Sequence, residues 1–104
     1  MNAVRVEILV VADCPNEATT IERLRRALDE SGRAATRIEV RVVTPETIHA
    51  VPLFAGSPTV VIDGLDPFAD QATPGAALSC RVYRAADGMS GAPSLEALRR
   101  AIGH

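Results

Sequence analysis

Two thiols and a proline loop hold most of the chemistry this sequence offers. Cys14 stands in Asp13-Cys14-Pro15-Asn16-Glu17, and Cys80 is the second cysteine of the chain. A cysteine thiolate can attack a disulfide, form an adduct or hold a soft metal ion. Cys14 follows a β-branched run and precedes a stretch of helical period, which places it at a helix N-terminus. Unpaired backbone amides and the helix dipole favour an anion there, and cysteines in such settings have pKa values lowered to roughly 3.5–7.5. Asp13 and Glu17 oppose that effect by charge repulsion, and no His or Lys lies nearby in sequence. Moderate nucleophilicity is the expectation; the competing reading is a small, weakly capping residue at a buried turn.

Cys80 falls in the alternation Leu78 to Tyr83, on the same face as Leu78 and Val82. It reads first as a buried apolar side chain, because free cysteine is among the most buried residue types. The alternative makes it a resolving thiol for Cys14. His49 and His104 have no partner at zinc-ligand spacing. Asp63, Asp66 and Asp70 alternate with Gly and Pro but fit no calcium-loop pattern, so they read as a solvated loop. No phosphate loop, Ser-His-Asp set or carboxylate pair stands out. Neither a cofactor nor a preformed metal site is expected.

The elements that must position these groups follow from periodicity. Val4 to Val11 reads as a strand buried toward its C-terminal end. Ala18, Ile21, Leu24, Ala27 and Leu28 form one face of a helix, with Pro15 at its first position, Glu17 at its third and Gly32 as its stop. Thr36 to Val43 alternates, with Ile38, Val40 and Val42 on one side, and predicts a half-exposed edge strand parallel to the first. Thr44-Pro45-Glu46 starts a helix that Pro52 limits to about two turns. Thr59 to Ile62 is a short buried strand between Gly56-Ser57-Pro58 and the turn Asp63-Gly64. Residues 64–77 read as a loop anchored by Phe68. Leu78 to Tyr83 predicts a further strand, Ala86-Asp87-Gly88 a turn, and Ser94 the cap of a last helix buried through Leu95, Leu98 and Ile102 and closed by Gly103.

The order is therefore βαβ-α-ββα, an α/β protein with a central mixed sheet of about four strands flanked by helices. At 104 residues it is one domain, residues 1–104. The core is aliphatic, since the chain has no Trp, one Tyr and two Phe. A net charge of −2 argues against nucleic acid as a partner, and the runs Arg23, Arg25, Arg26 and Arg99, Arg100 read as solvated helix faces. No stretch of ~20 apolar residues predicts a membrane span, and residues 6–12 lack the flanks of a signal peptide. A cytoplasmic protein is expected, with its cysteines free, redox-paired or buried rather than in a structural disulfide.

This element order resembles the thioredoxin fold, and two motifs fall where that family places its site. Asp13-Cys14-Pro15-Asn16-Glu17 lies at the first strand-to-helix junction, and Gly56-Ser57-Pro58-Thr59 looks like the family's cis-proline loop. A closer likeness is to a group of small actinobacterial thioredoxin-like proteins, some carrying selenocysteine. It rests on Cys-Pro-Asn, Gly-Ser-Pro-Thr, Asp66-Pro67-Phe68 and Ser79-Cys80-Arg81-Val82-Tyr83. The resemblance implies a reactive Cys14 facing a cis Pro58, with the backbone of Ser57 free for an extended peptide or thiol. It makes Asp13, Glu17, Ser57 and Pro58 the substrate-binding residues. Dithiol members have Cys-x-x-Cys, whereas Glu17 stands here at the second position, so the motif alone cannot resolve a mixed disulfide. In the family's sheet order the two cysteines start about 10 Å apart, beyond the ~7 Å between Cα atoms that a disulfide tolerates.

Three functions follow as expectations. The first is one-cysteine thiol–disulfide exchange at Cys14 with a protein or low-molecular-weight thiol. The second is a non-catalytic module that binds a partner or forms a homodimer through an apolar patch beside Phe54 or Phe68. The third is capture of a soft metal such as mercury by Cys14 with Cys80.

Overall fold

The β-branched run beginning at Val4 becomes strand β1 over Val6–Val10, covered on both faces. Such cover is what a nearly continuous apolar strand requires. In the computed structural model, which describes residues 4–71, 78, 80–85 and 88–103, β1 is the centre of a three-stranded sheet. Strand β2, Ile38–Val42, runs parallel to β1 on one side, with Val6 opposite Ile38 and Val10 opposite Val42. Strand β3, Thr59–Ile62, runs antiparallel on the other side, with Val6 opposite Ile62 and Leu9 opposite Thr59.

Helix α1, Glu17–Glu30, carries the chain from β1 to β2. It begins later than Pro15 suggested: Pro15 lies in a turn, Asn16 takes the N-cap position and Glu17 is the first helical residue. Gly32 closes the helix at a φ of 79°, where Arg33 N–H donates to Leu28 O at 2.8 Å. Helix α2, Leu95–Ile102, is capped as its sequence predicts, the Ser94 hydroxyl accepting from Ala97 N–H at 3.1 Å. Gly103 ends it in the left-handed region.

Val6, Ile8 and Val10 of β1, Leu24 and Leu28 of α1, and Leu98 and Ile102 of α2 bury one face of the sheet. Leu9, Val43, Val51, Phe54 and Val61 bury the other. Glu30 of α1 and Arg99 of α2 clamp the two helices at their exposed rim at 2.6 Å. The arginine runs are engaged in the same way: Arg23 donates to Pro93 O, Arg25 ties down the loop before β2, and Arg26 pairs with Glu30. Among the described residues no helix is long and apolar enough to cross a membrane.

Three sequence expectations are corrected. The helix after Thr44 shrinks to a 3₁₀ turn, Ile48–Ala50, because the Thr44 and Thr47 side chains bond back to the local backbone and close a tight turn. The edge strand β2 is more open than its alternation implies, with Val40 and Val42 exposed at 43% and 49%. The largest change concerns Leu78 to Tyr83. Among the described residues it adds no fourth strand to the central sheet, and an isolated parallel bridge joins Cys80 to Ser57. Tyr83–Ala85 (β4) instead pairs with Gly88–Ser90 (β5) in a separate antiparallel hairpin. Its inward phase is also reversed: Arg81 and Tyr83 are buried, while Leu78, Cys80 and Val82 face out. The large buried contacts of Tyr83 and Arg81 decide the phase against the smaller apolar set. Ala86 and Asp87 of the predicted turn, and 72–77 of the predicted loop, lie outside the described residues.

Candidate functional site

Cys14 sits in the connection between β1 and α1 and is 8% exposed. The chain reaches it through Asp13, an exposed residue in the left-handed region at a φ of 59°, a conformation Asp adopts more readily than most residues. It then turns at once into the helix, Glu17 N–H donating to Cys14 O at 3.3 Å. Asn16 makes no side-chain cap; its amide packs against Gly91, where any Cβ would lie 2.4 Å from Nδ2. Asp13 and Glu17 thus flank the thiol in sequence, the first exposed and the second half-buried.

The proline loop lies beside the same end of β1. The Ser57–Pro58 peptide bond is cis. Ser57 is fully buried, and its Oγ accepts a 3.0 Å hydrogen bond from Val11 N–H, at the end of the strand that leads to Cys14. Thr59 Oγ1 donates to Gly56 O at 2.5 Å and accepts from Ala55 N–H, which fixes the loop from its other side. The expectation of a free Ser57 backbone is corrected. Its carbonyl already accepts Arg81 N–H at 2.9 Å, so the chain's own Cys80–Arg81 segment occupies that place.

Tyr83 joins the two halves. Its hydroxyl donates to Pro58 O, and its ring packs in the cluster that also contains Cys14. Burial pushes the phenol above its usual range, with Asp66 and Cys14 opposing its ionisation and Arg81 favouring it. Phe68 meets the Tyr83 ring edge-on at 5.4 Å, and the Arg81 guanidinium lies 4.7 Å from its centroid. Arg81 is itself held by Asp66 at 2.7 Å and by Phe68 O, with its Nε left without a partner.

Asp66 is therefore no member of a solvated loop. Its carboxylate is inside, accepting from Arg81 and from Phe68 N–H. The supporting residues Asp66, Phe68, Arg81 and Tyr83 were not marked as site residues by sequence reasoning. They fall in the two segments, Asp66-Pro67-Phe68 and Ser79 to Tyr83, on which the family resemblance rests, but that these segments pack together is visible only in the structure.

Cys80 is exposed rather than buried, as its reversed strand phase requires, and both thiols are free. No group of three or more His, Cys, Asp or Glu that could hold a metal occurs among the described residues. Phe54 and Phe68 are themselves buried, while Leu53, next to Phe54 in sequence, is exposed.

No protein-family model matches the chain, and neither does any curated protein or solved structure. What the chain does must be read from this site.

Proposed function

We propose that this chain is a thioredoxin-like protein that uses one cysteine, Cys14, for thiol–disulfide exchange with a protein or low-molecular-weight thiol. The mixed sheet order β2-β1-β3, with a helix following β1, supports the thioredoxin-like reading of the fold. The observation that carries the functional reading is the bond from Val11 N–H to Ser57 Oγ. It ties the strand leading to Cys14 onto the proline loop, so that the thiol and a fixed, polar backbone segment share one end of the sheet.

In the exchange, the Cys14 thiolate attacks one sulfur of a disulfide, a new S–S bond forms and the original one breaks. The electron pair leaves on the second sulfur, which takes up a proton as a thiol. Glu17 cannot displace the product, so a second thiol molecule from solution must attack the mixed disulfide and regenerate Cys14. With Cys14 at 8% exposure, a slender disulfide has easier access than a broad protein surface.

The test uses Cys80→Ser, which leaves Cys14 as the sole thiol, incubated with glutathione disulfide under native conditions. Mass spectrometry should find one glutathionyl adduct on Cys14, reversed by added glutathione, and none on Cys14→Ser/Cys80→Ser. If Cys14 is modified only after denaturant is added, the thiol is a core side chain and the proposal fails.

A further inference from the structure

The outer edge of β2 is uncovered among the described residues, since β2 is the terminal strand of its sheet. Its backbone phase can be read from one bond: Val43 N–H donates inward to Val10 O at 2.7 Å. In a strand, alternate residues direct their N–H and C=O to opposite sides. Glu39 and Arg41 therefore bond toward β1, while Ile38, Val40 and Val42 present their backbone groups to the open edge. The side chains divide differently. Ile38, Val40 and Val42 stand opposite Val6, Ile8 and Val10 and share the helix-covered face, where Ile38 packs against the core. Val40 and Val42 extend beyond that cover and remain 43% and 49% exposed.

We propose that this edge pairs with itself: two copies of the chain join antiparallel through β2 about a two-fold axis at Val40, making one sheet from two. The register is set by charge. Centred on Val40, Glu39 of each copy lies directly opposite Arg41 of the other, and Ile38 lies opposite Val42. Centred on Glu39, two glutamates would oppose each other and Arg37 would face Arg41; centred on Arg41, two arginines would meet. Centred on Ile38, Arg37 would meet Glu39, but Val40 would fall opposite Thr36 and Arg41 opposite Ala35, outside the strand; the Val40 centre alone joins unlike charges on one face to a continuous aliphatic row on the other over all of β2. The Val40 and Ile38–Val42 pairs are then hydrogen-bonded pairs. The Glu39–Arg41 pairs are of the non-bonded kind, in which side chains approach most closely. The same charges discourage pairing with unrelated edges.

Sedimentation velocity on the full chain tests this. The wild type should show a monomer–dimer equilibrium in the micromolar range. Val40→Pro should be monomeric with an unchanged far-ultraviolet spectrum, because the N–H it removes faces the open edge and not β1. Glu39→Arg should weaken the dimer about tenfold through its two symmetric contacts, and adding Arg41→Glu should restore it. A wild type still monomeric at about 1 mM overturns the proposal, including the case where the edge takes up an extended peptide of another protein instead. So does a dimer that neither the proline nor the charge reversal disturbs.

Discussion

Arg81 and Asp66 form an ion pair at 2.7 Å with side chains only 2% and 5% exposed. Removing one partner of a buried pair leaves an uncompensated charge, whereas replacing both with apolar groups is far milder. Asp66→Ala should therefore cost about 3–5 kcal/mol. The loss is deepened because Asp66 also accepts from Phe68 N–H at 2.8 Å. Asp66→Ala/Arg81→Leu should lose much less than the sum of the two single changes. Urea denaturation of all four proteins closes the cycle; additive losses would mean that the two side chains do not act as a pair.

Tyr83 is the only tyrosine, so tyrosinate absorbance reports on it alone. Burial raises its folded-state pKa above the ordinary value of 10.0. The folded protein then holds the phenolic proton more tightly than the unfolded chain does. Its contribution to stability is complete below pH 10 or so and is lost as pH climbs from there toward the folded value. An alkaline titration should show tyrosinate appearing together with unfolding rather than before it. Tyr83→Phe removes this alkaline loss. At neutral pH it should cost about 1–3 kcal/mol, because Pro58 O loses its buried donor. A phenol that titrates near 10 in the folded protein would contradict the buried placement.

How much of this could be read beforehand differs by element, for physical reasons. β1, α1 and α2 were legible because period and caps agree, as with Ser94 and Gly32. The phase of 78–83 was not. Alternation points to Leu78, Cys80 and Val82 as the inner face, because that set is apolar and the other contains Arg81. The buried set contains a charge, and only long-range partners such as Asp66 make its burial affordable. Cys14 was placed at the strand-to-helix junction from sequence, because a change of period marks that point. That the Ser57 carbonyl is already taken by Arg81 could not be read, since it depends on how two distant segments meet.

Gly56 has a φ of 107°, and a Cβ built there would lie 2.9 Å from Arg81 Cβ and 3.2 Å from Arg81 Cα. Both the backbone conformation and the close approach exclude a side chain. Gly56→Ala should therefore destabilise the protein by about 1–3 kcal/mol. Gly64→Ala has a similar φ of 81° but nothing within 4 Å, and serves as the control for backbone strain alone. A lower melting temperature for Gly56→Ala than for Gly64→Ala reports the close approach of Arg81 together with the less accessible φ of Gly56. Equal losses would mean that the Arg81 contact costs nothing.

Ser57 connects stability to the proposed exchange. Ser57→Ala removes the acceptor of Val11 N–H and should cost about 1–3 kcal/mol for the unpaired, part-buried amide. If the end of β1 and the proline loop act as one support for Cys14, glutathionylation in the Cys80→Ser background should slow in spite of the lost stability. Destabilisation by itself has the opposite sign, since more frequent opening exposes a buried thiol and speeds its modification. Ser57→Thr keeps the oxygen and should restore the slow-opening, fast-exchange behaviour in part, limited by the room for its methyl group. Stability from urea melts and adduct formation by mass spectrometry, taken on the same samples, separate the two effects. Faster modification of Cys14 in Ser57→Ala would mean that this bond shields the thiol rather than supporting its reaction.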